Sequence, residues 1–111
     1  MVVLHDFRKA TRAGAETWGN PRSAGTGGGG LWTSYTLDPA TRELFVPVGN
    51  PAPDWAPGRR PGANLFTDSA LVLDANSGKL LWWYQLVFHD SHDYDLGAPP
   101  ALYVDANGAP M

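Results

Sequence analysis

The sequence predicts an all-β fold built as an array of small sheets, roughly two blades of a propeller-like ring and incomplete in itself. Three observations lead there. Apolar runs end in aspartate and a tight turn at Asp38, Asp74 and Asp105, about 31 to 36 residues apart, the scale on which strand-built repeats recur. From Glu43 to Val48 the chain alternates, with Leu44, Val46 and Val48 on one side, the two-residue period of a half-buried strand. The 13 glycines and 10 prolines act as punctuation and the 5 tryptophans as heavy packing anchors, a balance suited to short strands and tight loops.

Taken in order, residues 1–15 join the apolar Val2, Val3 and Leu4 to basic Arg8, Lys9 and Arg12 and show no helical face, so they read as an edge strand or loose tail. Residues 16–111 form the partial propeller-repeat region. Glu16 to Gly30 is loop, punctuated by Asn20-Pro21 and the run Gly27 to Gly30. Leu31 to Leu37 and Glu43 to Val48 flank the turn Asp38 to Arg42 and read as a β-hairpin. Gly49 to Gly62 carries Pro51, Pro53, Pro57 and Pro61 and reads as loop, because proline supplies no ladder donor. Ser69 to Leu73 and Leu80 to Phe88 make a second hairpin about Asp74 to Lys79, and Ala101 to Val104 begins a third before Asp105. A single blade cannot bury both its faces, so the chain reads as a slice of a larger ring.

Composition excludes several classes of function. At 111 residues and a formal net charge of −3, the chain lacks the basic surface that nucleic acid requires. The absence of cysteine removes disulfides, thiol nucleophiles and cysteine zinc sites together. The longest apolar run is too short and too aromatic for a membrane helix, and no signal-peptide core is visible near Met1.

The chemistry concentrates between His89 and Gly97, where His89, Asp90, His92, Asp93 and Asp95 place five ionisable side chains within seven residues. In an extended chain Asp93 and Asp95 project from one side, with α-carbons about 7 Å apart. Carboxylates facing one pocket repel unless a hard cation lies beside them; a solvated acidic loop after a strand accounts for the same residues. The glycine run lacks a Gly-Lys-Ser/Thr ending and leads into an aromatic strand, which argues against a phosphate cradle. Asp74 and Asn76 imitate a calcium loop, but Gln85 occupies its twelfth position, so a hairpin turn fits better. His89 and His92 lack a third imidazole or thiolate for zinc. Asn50, before Pro51, is either a turn cap or a neutral oxygen ligand. Trp32 is either core or a flat platform for a planar ligand.

Together, Gly27-Gly28-Gly29-Gly30-Leu31-Trp32, Gly49-Asn50-Pro51-Ala52-Pro53, Arg60-Pro61-Gly62-Ala63-Asn64 and His89-Asp90-Ser91-His92-Asp93-Tyr94-Asp95 resemble the quinoprotein alcohol dehydrogenases. This methanol and ethanol dehydrogenase family uses pyrroloquinoline quinone, and the resemblance spans Glu16 to Asp105. Val72 to Trp82 is similar to the family's tryptophan-docking repeat, in which an indole, here Trp82, ties one blade to the next. The implied fold is an eight-bladed β-propeller with the cofactor on its axis.

The resemblance also implies roles. Trp32 forms the floor under the quinone and Gly30 lies at a cofactor contact. Asn50, Asp93 and Asp95 bind Ca2+ or a lanthanide ion, and Asp93 is the general base. Asp95 matches the additional carboxylate of lanthanide-dependent members, and an extra anion favours a trivalent ion over a divalent one. The implied reaction oxidises an alcohol to an aldehyde: the metal polarises a quinone carbonyl, Asp93 takes the hydroxyl proton, and hydride passes to the quinone. The implied partners are the alcohol, an acceptor such as a cytochrome c and the remaining blades, in the periplasm. The resemblance departs at two positions: family members usually carry tryptophan where His92 stands, and methanol dehydrogenases carry threonine where Gly30 stands. A fragment of this size is expected to be inactive alone. A sugar or polyol dehydrogenase of the same cofactor family, and a non-catalytic propeller scaffold, are the alternatives.

Overall fold

Each of the three recurrent aspartates closes a turn with its own side chain. In a computed structural model, which describes residues 16–19 and 27–109, Oδ1 of Asp38 accepts the N–H groups of Ala40 and Thr41 at 2.8 and 3.4 Å. Asp74 does the same for Asn76 and Ser77 at 3.0 and 2.7 Å, and Asp105 for Asn107 and Ala109, both at 2.8 Å. A carboxylate that mimics a backbone acceptor sets such turns locally. Gly78, at φ 71°, supplies the left-handed residue that returns the chain to the sheet.

The first two turns join a four-stranded antiparallel sheet in the order β2-β3-β5-β6, made of β2 (Thr36–Asp38), β3 (Glu43–Val48), β5 (Ser69–Asp74) and β6 (Leu80–Gln85). A two-stranded ribbon, β1 (Gly28–Gly29) with β4 (Pro51–Ala52), stands beside it. The expected alternation sets the register. Leu44 lies opposite Leu73, Val46 opposite Leu71 and Val48 opposite Ser69, so one face gathers the buried cluster Val46, Val48, Leu71 and Leu73, with Leu31, Leu44, Phe66 and Leu80 packed around it. On the other face Trp82 meets Phe45 edge-on at 6.1 Å. The ladder slips between Val72 and Leu73, which face Trp82 and Leu80, so Leu81 is an extra residue in a β-bulge.

Much apolar surface stays uncovered. Trp82 and Trp83 are each 46% exposed and Tyr84 66% exposed, although aromatic residues at such density on a sheet normally pack against another layer. The described elements are strands and two short 3-10 turns, and the sheet leaves a group of aromatic side chains exposed.

Differences from expectation lie at strand ends. Only Thr36–Asp38 of the run from Leu31 joins the ladder, because Gly30 and Trp32 are tied instead to Gly49 and Asp95. The last strand stops at Gln85, short of Phe88; the Gln85 amide is spent on the carbonyls of Ala63, Asn64 and Thr67, and Leu86 N–H donates to the Asp68 carbonyl at 2.8 Å. The proline-rich loop contains β4 after all. Pro51 is tolerated there because β4 has a neighbour on one side only. From Ala101 to Val104 the chain makes a single bridge, at Val104, before the expected turn. The tail reading of residues 1–15 lies outside the described residues.

Main-chain N–H groups of Ala40, Ser77 and Ala109 hold the carboxyls of Asp38, Asp74 and Asp105 below the ordinary range. A depressed folded value adds stability above the unfolded pKa of about 4, and that stability is lost as pH falls through the folded value. Thermal melts from pH 2 to 5 should therefore fall more shallowly with acid in Asp74→Asn than in wild type. Identical acid limbs would contradict the turn's electrostatic origin.

Candidate metal and cofactor site

The register brings Val48, Ser69 and Gln85 side by side at one end of the sheet, so the segments that leave or enter there converge. Asp68 N–H donates to the Gly49 carbonyl at 2.9 Å, and Gly49 N–H donates to the Gly30 carbonyl at 2.9 Å. Three loops are thereby stitched to one another above the buried cluster. They carry the residues singled out from sequence.

Asp95 joins them. Its Oδ1 accepts Trp32 Nε1–H at 3.3 Å and Asn50 N–H at 3.1 Å. Gly49 makes this approach feasible: a Cβ there would collide with Asp95 Oδ1 and stand 3.0 Å from Trp32 Nε1. The indole is 60% exposed, with one carboxylate fixing its Nε1 edge. Gly30 lies by the same pyrrole edge, where an added Cβ would come 3.3 Å from Trp32 Cδ1, and Gly97 lies by the far edge, where one would come 3.3 Å from Trp32 Cη2.

Asn50 is oriented from behind. Its Nδ2 donates to Asp54 Oδ1 at 2.8 Å; a carboxylate only accepts, which fixes the amide flip and leaves Oδ1 without a hydrogen bond among the described residues. The fully buried Arg60 pins this loop, donating through Nε to the Pro53 carbonyl at 3.1 Å and through Nη2 to the Asp54 carbonyl at 2.9 Å. Arg60 Nη1 donates to Asn64 Oδ1 at 2.8 Å, and Asn64 returns a bond to the Arg60 carbonyl at 2.9 Å.

Asp93 departs from the extended geometry expected of it. At φ 65° it is left-handed, because Asp90 gathers the N–H groups of His92 and Tyr94, each at 2.8 Å, into a tight turn. Loss of solvent, then the charges of Asp54, Asp95 and Asp90, push its pKa up. Neither histidine is placed as a zinc ligand. His89 Nδ1 donates to the Gly62 carbonyl at 2.8 Å, and the His92 ring stacks on Tyr94 at 5.3 Å.

One further acid escaped the sequence reading. Asp68 is fully buried and neither carboxylate oxygen has a hydrogen-bond partner among the described residues. Burial first, then Asp90 and Asp95, push its pKa up to about 7 against the opposing pull of Arg60.

Among the described residues no group of three or more His, Cys, Asp or Glu side chains forms a ready metal cage. Asn50, Asp93 and Asp95 carry hard oxygen donors of the kind Ca2+ or a lanthanide takes, with Asn50 Nδ2 and Asp95 Oδ1 already engaged in hydrogen bonds.

The family model of the glucose/ethanol/alcohol dehydrogenase β-propeller domain, designated PQQ, matches residues 5–109. The chain belongs to this PQQ-dependent dehydrogenase family. The quinohemoprotein alcohol dehydrogenase of Comamonas testosteroni superposes with a TM-score of 0.74 at 34% identity, over 92% of this chain and 16% of that one. A europium-containing methanol dehydrogenase superposes with a TM-score of 0.66 at 32% identity, over 71% of this chain and 14% of that one. Subunit 1 of the cytochrome c methanol dehydrogenase of Methylobacterium organophilum is 41% identical over 68 residues, 61% of this chain, and this chain spans 11% of its length. The blade described above is thus one piece of a PQQ-type propeller. Among the described residues no helix is long and apolar enough to cross a membrane.

Gly49→Ala should push Asp95 off both donors and destabilise the fold by about 1–3 kcal/mol, the usual cost of overpacking. The Trp32 indole N–H resonance, followed by NMR, should shift and exchange faster with water. An unmoved resonance would contradict the shared-oxygen geometry.

Proposed function

We propose that this chain is the part of a PQQ-dependent dehydrogenase that carries the general base and part of the metal site, in a protein that oxidises alcohols to aldehydes. The observation that supports the reading is the single oxygen of Asp95 bonded to both Trp32 Nε1–H and Asn50 N–H, which links an exposed indole to an acid and an amide-bearing residue from distant stretches of the chain. Asn50 Oδ1, Asp93 and Asp95 would hold the cation, and the exposed Trp32 indole would lie under the quinone, with Gly30 keeping the ring edge clear. When bound, the quinone supplies the two-electron acceptor and the metal the Lewis acid.

The chain's own residues handle the proton and the alignment. Asp93 accepts the hydroxyl proton of the alcohol at its carboxylate; crowding by Asp54, Asp95 and Asp90 raises its basicity, and ligation offsets the repulsion that would otherwise protonate it. Asp54 keeps the Asn50 amide turned oxygen-outward. Asp95 adds a carboxylate that suits a lanthanide, in keeping with the europium-containing relative. By analogy with the methanol dehydrogenase subunit, electrons pass to a cytochrome c, and the periplasm is the compartment. The exposed aromatic faces pack against the remaining blades, and the chain alone does not turn over. Because the family description also names glucose dehydrogenases, a sugar or polyol is the second substrate class.

The test is Asp93→Asn in the intact protein, reconstituted with quinone and either Ca2+ or La3+ and assayed by alcohol-dependent and sugar-dependent dye reduction. Turnover should fall at least about 100-fold, the scale of a lost general base, while the quinone absorbance stays with the protein. Turnover retained by the variant would remove the base assignment.

A further inference from the structure

Asp93 holds a main-chain conformation that few residues with a Cβ adopt. At φ 65° it lies in the left-handed region, and strain of that kind persists only where surrounding contacts impose it. Here the contacts come from one side chain. Asp90 Oδ1 accepts the N–H of His92 and Asp90 Oδ2 that of Tyr94, each at 2.8 Å, so the residues before and after Asp93 are both tied to a single carboxylate. Such charge-assisted bonds are stronger than those of a neutral turn. The rings of His92 and Tyr94 also stack, with centroids 5.3 Å apart and planes at 26°. The two sides of the turn are thus fastened twice.

Asp90 is itself held in place. It is 2% exposed, while Asp93 is exposed, and the residue before it is moored to the loop that Arg60 braces. His89 N–H donates to the Ala63 carbonyl at 3.2 Å, and the His89 ring bonds the Gly62 carbonyl through Nδ1 at 2.8 Å. The Ala63 carbonyl also accepts Gln85 Nε2–H at 2.9 Å, from the last residue of β6. A buried acid at the root of the loop therefore carries the position of the sheet's end to an exposed acid at its tip.

We propose that Asp90 is the positioning residue for the base: by binding the N–H groups on either side of Asp93, it keeps that carboxylate aimed at the hydroxyl of the alcohol. The proposal rests on the reading of Asp93 as the base and deepens it. Asp90 is buried with both oxygens bonded to the main chain, so it acts through Asp93. A base must stand within hydrogen-bond reach of the proton it takes, and a misplacement of about 1 Å costs on the order of 100-fold in rate. Substrate binding does not depend on that alignment in the same way, so the effect belongs to turnover.

The experiment compares Asp90→Ala and Asp90→Asn with wild type in the intact protein carrying quinone. Alanine removes both acceptors, whereas asparagine keeps the shape and one acceptor oxygen. The kcat for alcohol oxidation should fall on the order of 100-fold in Asp90→Ala and by less in Asp90→Asn, with KM and the quinone absorbance unchanged. Hydrogen–deuterium exchange followed by mass spectrometry should speed up in the peptide containing His92 and Tyr94 and keep its wild-type rate in β5. Wild-type turnover in Asp90→Ala, or unchanged exchange at His92 and Tyr94, overturns the proposal and leaves the base reading standing. A change confined to KM, or faster exchange in β5 in both variants, makes Asp90 part of the frame alone and also overturns it. If Asp93→Asn keeps its turnover, the base reading fails and this proposal fails with it.

Discussion

The oxygen that Asp95 shares between Trp32 and Asn50 is the constraint on which the site depends. These residues are separated by 18 and 45 positions, and a flexible chain would not hold them together against the entropy of closing such loops. The blade does it instead. Its strands end together at Val48, Ser69 and Gln85, the loops that follow inherit that alignment, and the bare Cα of Gly49 lets the carboxylate in. The same sheet that buries Val46 and Leu71 thereby fixes where an indole edge and an amide lie.

Around that point the described residues gather acids: Asp90, Asp95 and Asp93 push up the pKa of Asp68, and Asp54, Asp95 and Asp90 that of Asp93, while Arg60 opposes the rise at Asp68 and braces loop carbonyls. An arrangement of this kind weakens the empty protein and favours a cation. Hydrogen bonds from Arg60, Asn64 and Gln85 to uncharged acceptors stiffen the frame, while Asp54, Asp90 and Asp95 orient the loops around it by accepting N–H groups.

How far the sequence disclosed this depends on whether a feature is local. The turns at Asp38, Asp74 and Asp105 were legible because the aspartate that starts each one bonds the next few N–H groups, and the alternation of Leu44, Val46 and Val48 set the face of β3. Trp32, Asn50 and Asp95 were singled out through their motifs, and the structure brings these three together. The left-handed turn at Asp93 was hidden because Asp90 imposes it through side-chain bonds that the pattern Asp-x-Asp does not reveal. The ribbon of β1 with β4 was hidden for a related reason: two glycines and a proline pair only because the larger sheet delivers them to each other. Asp68 gave no signal at all, since a polar residue before a strand reads as an ordinary loop until its burial is seen. Arg60 and Asn64 stood inside a quoted motif, but their work as a brace appears only in three dimensions.

The most direct measurement is a crystal structure of the intact protein grown with a lanthanide, with the ion found by its anomalous scattering. The peak should lie within about 2.3–2.6 Å of Asn50 Oδ1 and of carboxylate oxygens from Asp93 and Asp95, beside Trp32. A peak held by other residues, or carboxylates of Asp93 and Asp95 turned away from a common ion, would contradict the account.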